Sequence, residues 1–154
     1  AQLAKLSSTN LNSLESADFQ ALSATQIKAL TTAQIQGLSD STNNLVAALS
    51  TSQVFAMTSA QITKLAIAYL NTSSLSSLSA TQIKALSASQ IQSITPAKIP
   101  ALTASQIASL TTSQIRALTT APNQLGALTS TQIAALSPVQ VAAMTTDQIA
   151  SLNF

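Results

Sequence analysis

The sequence predicts an all-α solenoid of very short capped helices, one per eight-residue repeat, and three observations lead there. The first is the repeat itself, L-[ST]-x-x-Q-I-x-x, which reads LTASQIAS and then LTTSQIRA from Leu102 to Ala117. The second is its period. In a continuous helix, at about 100° per residue, each octad turns the pattern by about 80°, so the Leu/Ile stripe winds around every face. In a strand, positions 1 and 6 differ in parity and point to opposite sides. Only two glycines, Gly37 and Gly126, are present to make the tight turns of a β-solenoid. The third is the charge placement, with basic residues at the predicted helix C-termini and acids in the predicted first turns.

Each helix follows from local chemistry. Ser or Thr at position 2 with Gln at position 5 is a capping box: the hydroxyl accepts from the backbone N–H three residues on, and the amide oxygen accepts from the N–H of the cap. Proline follows the cap in Thr95-Pro96 and Ser137-Pro138, where a missing N–H is harmless. Lys5, Lys28, Lys64, Lys84 and Arg116 occupy positions 7 or 8, and Asp18 and Asp147 occupy positions 5 and 4. Both placements suit the helix dipole and agree with the polarity of the caps. A helix of about six residues does not persist alone. Burying one Leu, one Ile and one Ala recovers only part of the ordering entropy of a block. Neighbouring blocks must therefore stack. Two octads per superhelical turn would make an αα-hairpin stack, and other counts stay open.

Blocks begin at Leu6, Leu14, Leu22 and Leu30, with Leu11 and Phe19 in the Ile place and Asn10 and Asp18 in the Gln place. The block at 38–48 gains three residues; Ser41 is its expected cap, Asn44 and Leu45 take the Gln and Ile places, and Asp40, Ser41 and Asn43 form a corner. Phase resumes at Leu49 and Met57. Residues 65–69 are inserted without a cap, so Ser59–Leu70 is expected as one longer helix capped at Thr58. Blocks at Leu70, Leu78, Leu86, Ile94, Leu102 and Leu110 follow. The Leu70 block lacks Gln. In the Ile94 block Lys98 replaces it, and Pro100 should distort the last turn. The block at 118–127 gains two residues, with Pro122 at its expected helix start. LSATQIKAL recurs at Leu22 and Leu78, and the Leu38 insertion lies 80 residues before the Leu118 insertion, a spacing that suggests a higher-order unit. The whole chain, 1–154, reads as one repeat domain. Neither end carries a block with a polar outer face, so the chain is expected to be part of something longer or to end against another copy.

Composition bounds the function. Charged residues are 6% of the chain, and the net charge of +2 is too scattered to argue for nucleic acid. A surface of Ser, Thr, Gln and Asn has little charge repulsion to keep copies apart. No apolar run reaches the length of a membrane span. Without His or Cys there is no His-based triad, thiol nucleophile or zinc site, and no cofactor is implied. The acids Glu15, Asp18, Asp40 and Asp147 are spread out and read as cap and first-turn residues, so an enzyme is not expected. Asp40, Asn43 and Asn44 offer too few charges for calcium. Phe55 at position 7 should face outward, and Tyr69 sits in an insertion. With Phe154 these are the weak contact candidates, although local packing under the irregular helix is the plainer expectation for Phe55 and Tyr69. Phe19 is expected in the core.

The string ALTxxQIxALTxxQI, clearest from Leu22 to Leu152 and exemplified by Leu102, Thr103, Gln106 and Ile107, resembles octapeptide-repeat segments of very large secreted bacterial proteins of the haemagglutinin-like or adhesin type. The resemblance implies an extracellular or cell-surface role, structural or adhesive, with no active site to carry over. The leading expectation is an extracellular structural repeat protein that self-assembles into a fibre, stalk or matrix. The alternative is an adhesin-type module that recognises glycan or cell-surface protein through its polar surface. An ice-binding face of regularly spaced Thr is a weaker third, since Ser alternates freely with Thr and lacks the methyl group.

Overall fold

Each regular block folds through the same few bonds in the computed structural model, which describes residues 3–38 and 44–153. Thr103 is extended, and its hydroxyl accepts from the Gln106 N–H at 3.1 Å while Gln106 Oε1 accepts from the Thr103 N–H at 2.8 Å. The helix runs Ala104–Ser109, and the chain then straightens at Leu110, whose N–H donates to the Ile107 carbonyl at 3.1 Å. The box recurs at Ser23, Ser50, Ser79, Thr129 and Ser137, among others. Position 6 is buried in nearly every block, and Ile27, Ile35, Ile62 and Ile115 are fully enclosed. The residue that opens most blocks, among them Leu30, Leu49, Leu70, Leu86, Leu102 and Leu128, joins them to form the core.

The protein is an all-α solenoid of short helices, with no strand among the described residues. It divides into two compact units, Ala1–Leu78 and Ser79–Phe154. The first holds α1 (Ser8–Asn12), α2 (Ser16–Gln20), α3 (Ala24–Lys28), α4 (Thr32–Gly37), α5 (Leu45–Ala48), α6 (Thr51–Ala56), α7 (Ser59–Ile62) and α8 (Thr72–Ser76). The second holds α9 (Ala80–Ala85), α10 (Ala88–Ser93), α11 (Ala104–Ser109), α12 (Thr112–Ala117), α13 (Ser130–Ala134), α14 (Pro138–Ala143) and α15 (Thr146–Ala150).

Stacking follows one rule in both units: an element packs on the third element after it. In the first unit α1 meets α4, α2 meets α5, α3 meets α6 and α4 meets α7. In the second, α10 meets α12 across an intervening 3₁₀ block, and α12 meets α14 across a turn block. Each turn therefore holds more than two octads, and a wider coil stands in place of the αα-hairpin arrangement. Gly37 permits one of the closest approaches, since a Cβ there would come within 2.9 Å of Ser8 Cβ on α1.

Four irregular places depart from the sequence expectation or lie outside it. Ser59–Leu70 is not one helix: α7 stops at Ile62, and a 3₁₀ turn follows at Ile67–Tyr69. The reason is geometric. In a continuous helix Ile62, Leu65, Ile67 and Leu70 would spread over about 200° of its surface. All four are buried, which one straight helix lying on a core cannot achieve. The Ile94 block, as Pro100 suggested, is a 3₁₀ helix over Pro96–Ala101, and Thr95 makes no side-chain cap. Asn44 is not inside a helix; it stands before α5 in the left-handed region, φ 50°, which Asn tolerates better than most residues. The expected cap Ser41, with Asp40 and Asn43, lies outside the described residues.

The block at 118–127 forms turns rather than a helix starting at Pro122, and its Ala121–Pro122 peptide is cis. Two extra residues separate the cap Thr119 from Gln124, yet Gln124 Oε1 still accepts from the Thr119 N–H at 3.0 Å. The insertion is absorbed inside the capping box.

These burial assignments are directly testable by urea denaturation. Phe19 is fully enclosed on α2, and Phe19→Ala should cost about 3–5 kcal/mol. Tyr69 is 54% exposed, and Tyr69→Ser should change stability by less than about 0.5 kcal/mol.

Candidate functional site

Helices this short leave most of their backbone carbonyls without an internal partner. The glutamines resolve this with the end of the side chain that the capping box does not use. Gln114 is buried, and its Nε2 donates to the carbonyls of Ile83 at 2.7 Å and Leu86 at 2.8 Å, 31 and 28 positions earlier. Gln61 likewise reaches Ile27, Lys28 and Leu30, and Gln140 reaches Ile107, Ala108 and Leu110. In each case the amide caps the helix end four blocks back, while the helices themselves pack three blocks apart. A superhelical turn in either unit thus takes between three and four octads.

A block with serine at position 5 keeps the connection by another route. In the Leu70 block Ser74 Oγ donates to the Leu49 carbonyl at 2.6 Å, and Asn71 Nδ2 donates to the Ala47 carbonyl at 3.0 Å. The turn block keeps it too, with Gln124 Nε2 bonded to the carbonyls of Ile91, Gln92 and Ile94. The octad by itself shows only the capping-box role of Gln. The second role is visible only once the chain has come round by a full turn.

The candidate contact residues are dispersed. Phe55 lies on α6 and is 64% exposed, as position 7 suggested, and Tyr69 lies in the 3₁₀ turn. Neither is packed under the irregular helix, so that plainer expectation fails. The insertion folds its aliphatic residues inward, and Tyr69 is left outside. Phe154 lies outside the described residues. Glu15 is the N-cap of α2 without a side-chain cap bond, Asp18 sits in the first turn of that helix, and Asp147 sits in the first turn of α15. Among the described residues no three His, Cys, Asp or Glu side chains gather as a metal site would require. No helix among them is long and apolar enough to cross a membrane.

Each unit carries an open polar cleft. The first unit has one of about 620 Å³ lined by Gln20, Thr51, Asn71 and Ser73, all uncharged. The second has one of about 330 Å³ lined by Gln92, Arg116, Thr119, Thr120, Thr145 and Asp147. Arg116 is held there by a bond from its Nε to the Ala143 carbonyl at 2.9 Å.

Two segments, residues 11–42 and 122–153, match the ALTTAQ repeat family. Each covers 32 residues, or four octads, and the chain is a repeat protein. No curated protein and no solved structure matches it.

The two roles of glutamine separate experimentally. Gln114→Ala strips two buried carbonyls of their donor as well as the Thr111 N–H of its acceptor, and about 3 kcal/mol or more should be lost. Gln26 is exposed and makes only the local box with Ser23, so Gln26→Ala should cost about 1 kcal/mol. Equal losses on chemical denaturation would mean that the bonds between turns add nothing.

Proposed function

We propose that this protein is a non-enzymatic structural repeat protein that works outside the cell, where copies associate into a fibre, stalk or matrix. The observation that carries this reading is the disposition of polar side chains: block after block spends its hydroxyl and its amide on backbone groups of the solenoid itself. What remains outside is mostly Ser, Thr, Ala and Gln, with ten charges in 154 residues. Such an exterior opposes association weakly. Val139 and Val141, 68% and 41% exposed, add apolar contact area. The extracellular setting is supported by the resemblance of the octad to repeat segments of large secreted adhesin-type proteins.

Electron microscopy and light scattering across a concentration series test this reading. Ordered filaments or sheets with a regular repeat are expected as concentration rises. Particles that remain single copies at high concentration would remove assembly as the function.

The exposure of Phe55 and Tyr69 favours a second reading, an adhesive module that meets a glycan or cell-surface protein. The chain has only four aromatic residues, and a repeat built for structure alone has no need to place two of them outside. Binding to glycan arrays and intact cells should then fall at least about tenfold in the Phe55→Ser/Tyr69→Ser double variant. Wild-type protein that binds neither would eliminate this reading.

A further inference from the structure

We propose that the cleft formed by α12, the turn block and α15 binds an acidic sugar, a hydroxylated ring carrying one carboxylate. The proposal goes beyond a structural role and does not depend on assembly.

The first argument is the placement of charge. Arg116 is the only arginine in the sequence, and Asp147 is the only acid after residue 79. In a chain this poor in charge, both line one cleft of about 330 Å³. That volume lies at the lower end of the range for small-molecule sites. Among the described residues the two form no ion pair with each other. Arg116 instead spends Nε on the Ala143 carbonyl at 2.9 Å, which fixes the guanidinium plane and leaves both terminal nitrogens to donate. A planar pair of donors of this kind matches a carboxylate.

The second argument is the neutral lining. Among the described residues the side chains of Gln92 and Thr120 make no hydrogen bond, and both line the cleft. Thr145 Oγ accepts from the Gln148 N–H at 3.2 Å and keeps its own proton to donate. With the Asp147 carboxylate, these groups offer donors and acceptors to several hydroxyls. A neutral sugar would leave the guanidinium unmatched. An amino-acid zwitterion would satisfy the two charges and leave Gln92, Thr120 and Thr145 without partners. A sugar acid matches both sets.

The third argument is the wall. Thr119, Thr120 and Ala121 line the cleft because the two inserted residues of this block form turns where a regular octad would place a helix. The departure from the array and the concentration of charge fall at the same place.

Titration of the full chain with sodium D-glucuronate, followed by two-dimensional NMR, tests the site, with D-glucose and glycine as comparison ligands. Saturable shifts are expected at the amides of Arg116, Thr119–Ala121 and Asp147, with Kd about 1 mM or tighter. Glucose and glycine should bind at least about tenfold more weakly. Asp147→Asn and Arg116→Lys should each weaken glucuronate binding at least about tenfold while the remaining resonances stay in place. Absence of saturable shifts with glucuronate would overturn the proposal. So would glycine binding as tightly as glucuronate, or an unchanged affinity in Asp147→Asn, whose side chain is exposed.

Discussion

A helix of five or six residues has almost no interior, so its stability is decided at its two ends. In this protein a single side chain serves both kinds of end. The glutamine oxygen accepts the N–H at the start of its own helix, and the glutamine nitrogen donates to carbonyls at the finish of a helix one turn earlier. Both atoms are buried with the rest of the side chain at positions such as Gln53, Gln61 and Gln132. In that environment an unpartnered carbonyl costs about 1–3 kcal/mol. The amide therefore does more than join two turns. It makes the burial of two helix ends tolerable, and the Leu/Ile core follows from that.

The two spacings, three blocks for helix packing and four for the amide, give the solenoid its cohesion. A given block touches different earlier blocks through its apolar face and through its amide. Within a unit no pair of turns can part along a plane that severs one kind of contact alone. The irregular blocks respect this arrangement even where they abandon the helix. Gln124 holds its three carbonyls from a turn, and Asn71 with Ser74 reproduce the reach of a glutamine with two shorter side chains.

Much of this was legible in the octad. The period removed the long helix and the strand, Ser/Thr with Gln marked each helix start, and the Ile position identified Phe19 as core. The rest was hidden for physical reasons. An eight-residue pattern contains no information about what lies 31 residues away, so the outward role of Gln114 and the number of blocks per turn were invisible. The stretch Ser59–Leu70 lacks a second cap and reads as a helix, but four apolar side chains that must all be buried bend it otherwise. Among site residues, the exposure of Phe55 followed from its block position. The cleft did not, because Arg116 and Asp147 stand 31 positions apart and meet only when the chain returns. That separation equals the span from Ile83 to Gln114, and with the span known the pairing could have been found.

The two-residue insertion at 118–127 bears on how the chain finds its register. Identical octads are interchangeable partners, so a turn displaced by one block would keep every cap and most apolar contacts, and a strictly uniform array would face many nearly equal arrangements. Insertions break that equivalence. The amide of Gln114 spans 31 residues to its carbonyl, whereas that of Gln140, whose loop includes the insertion, spans 33. A turn that slips by one block across residues 118–127 meets a loop of the wrong length. The irregular block thus works as a key in a threaded shaft, giving one alignment an advantage that the repeat alone could not supply.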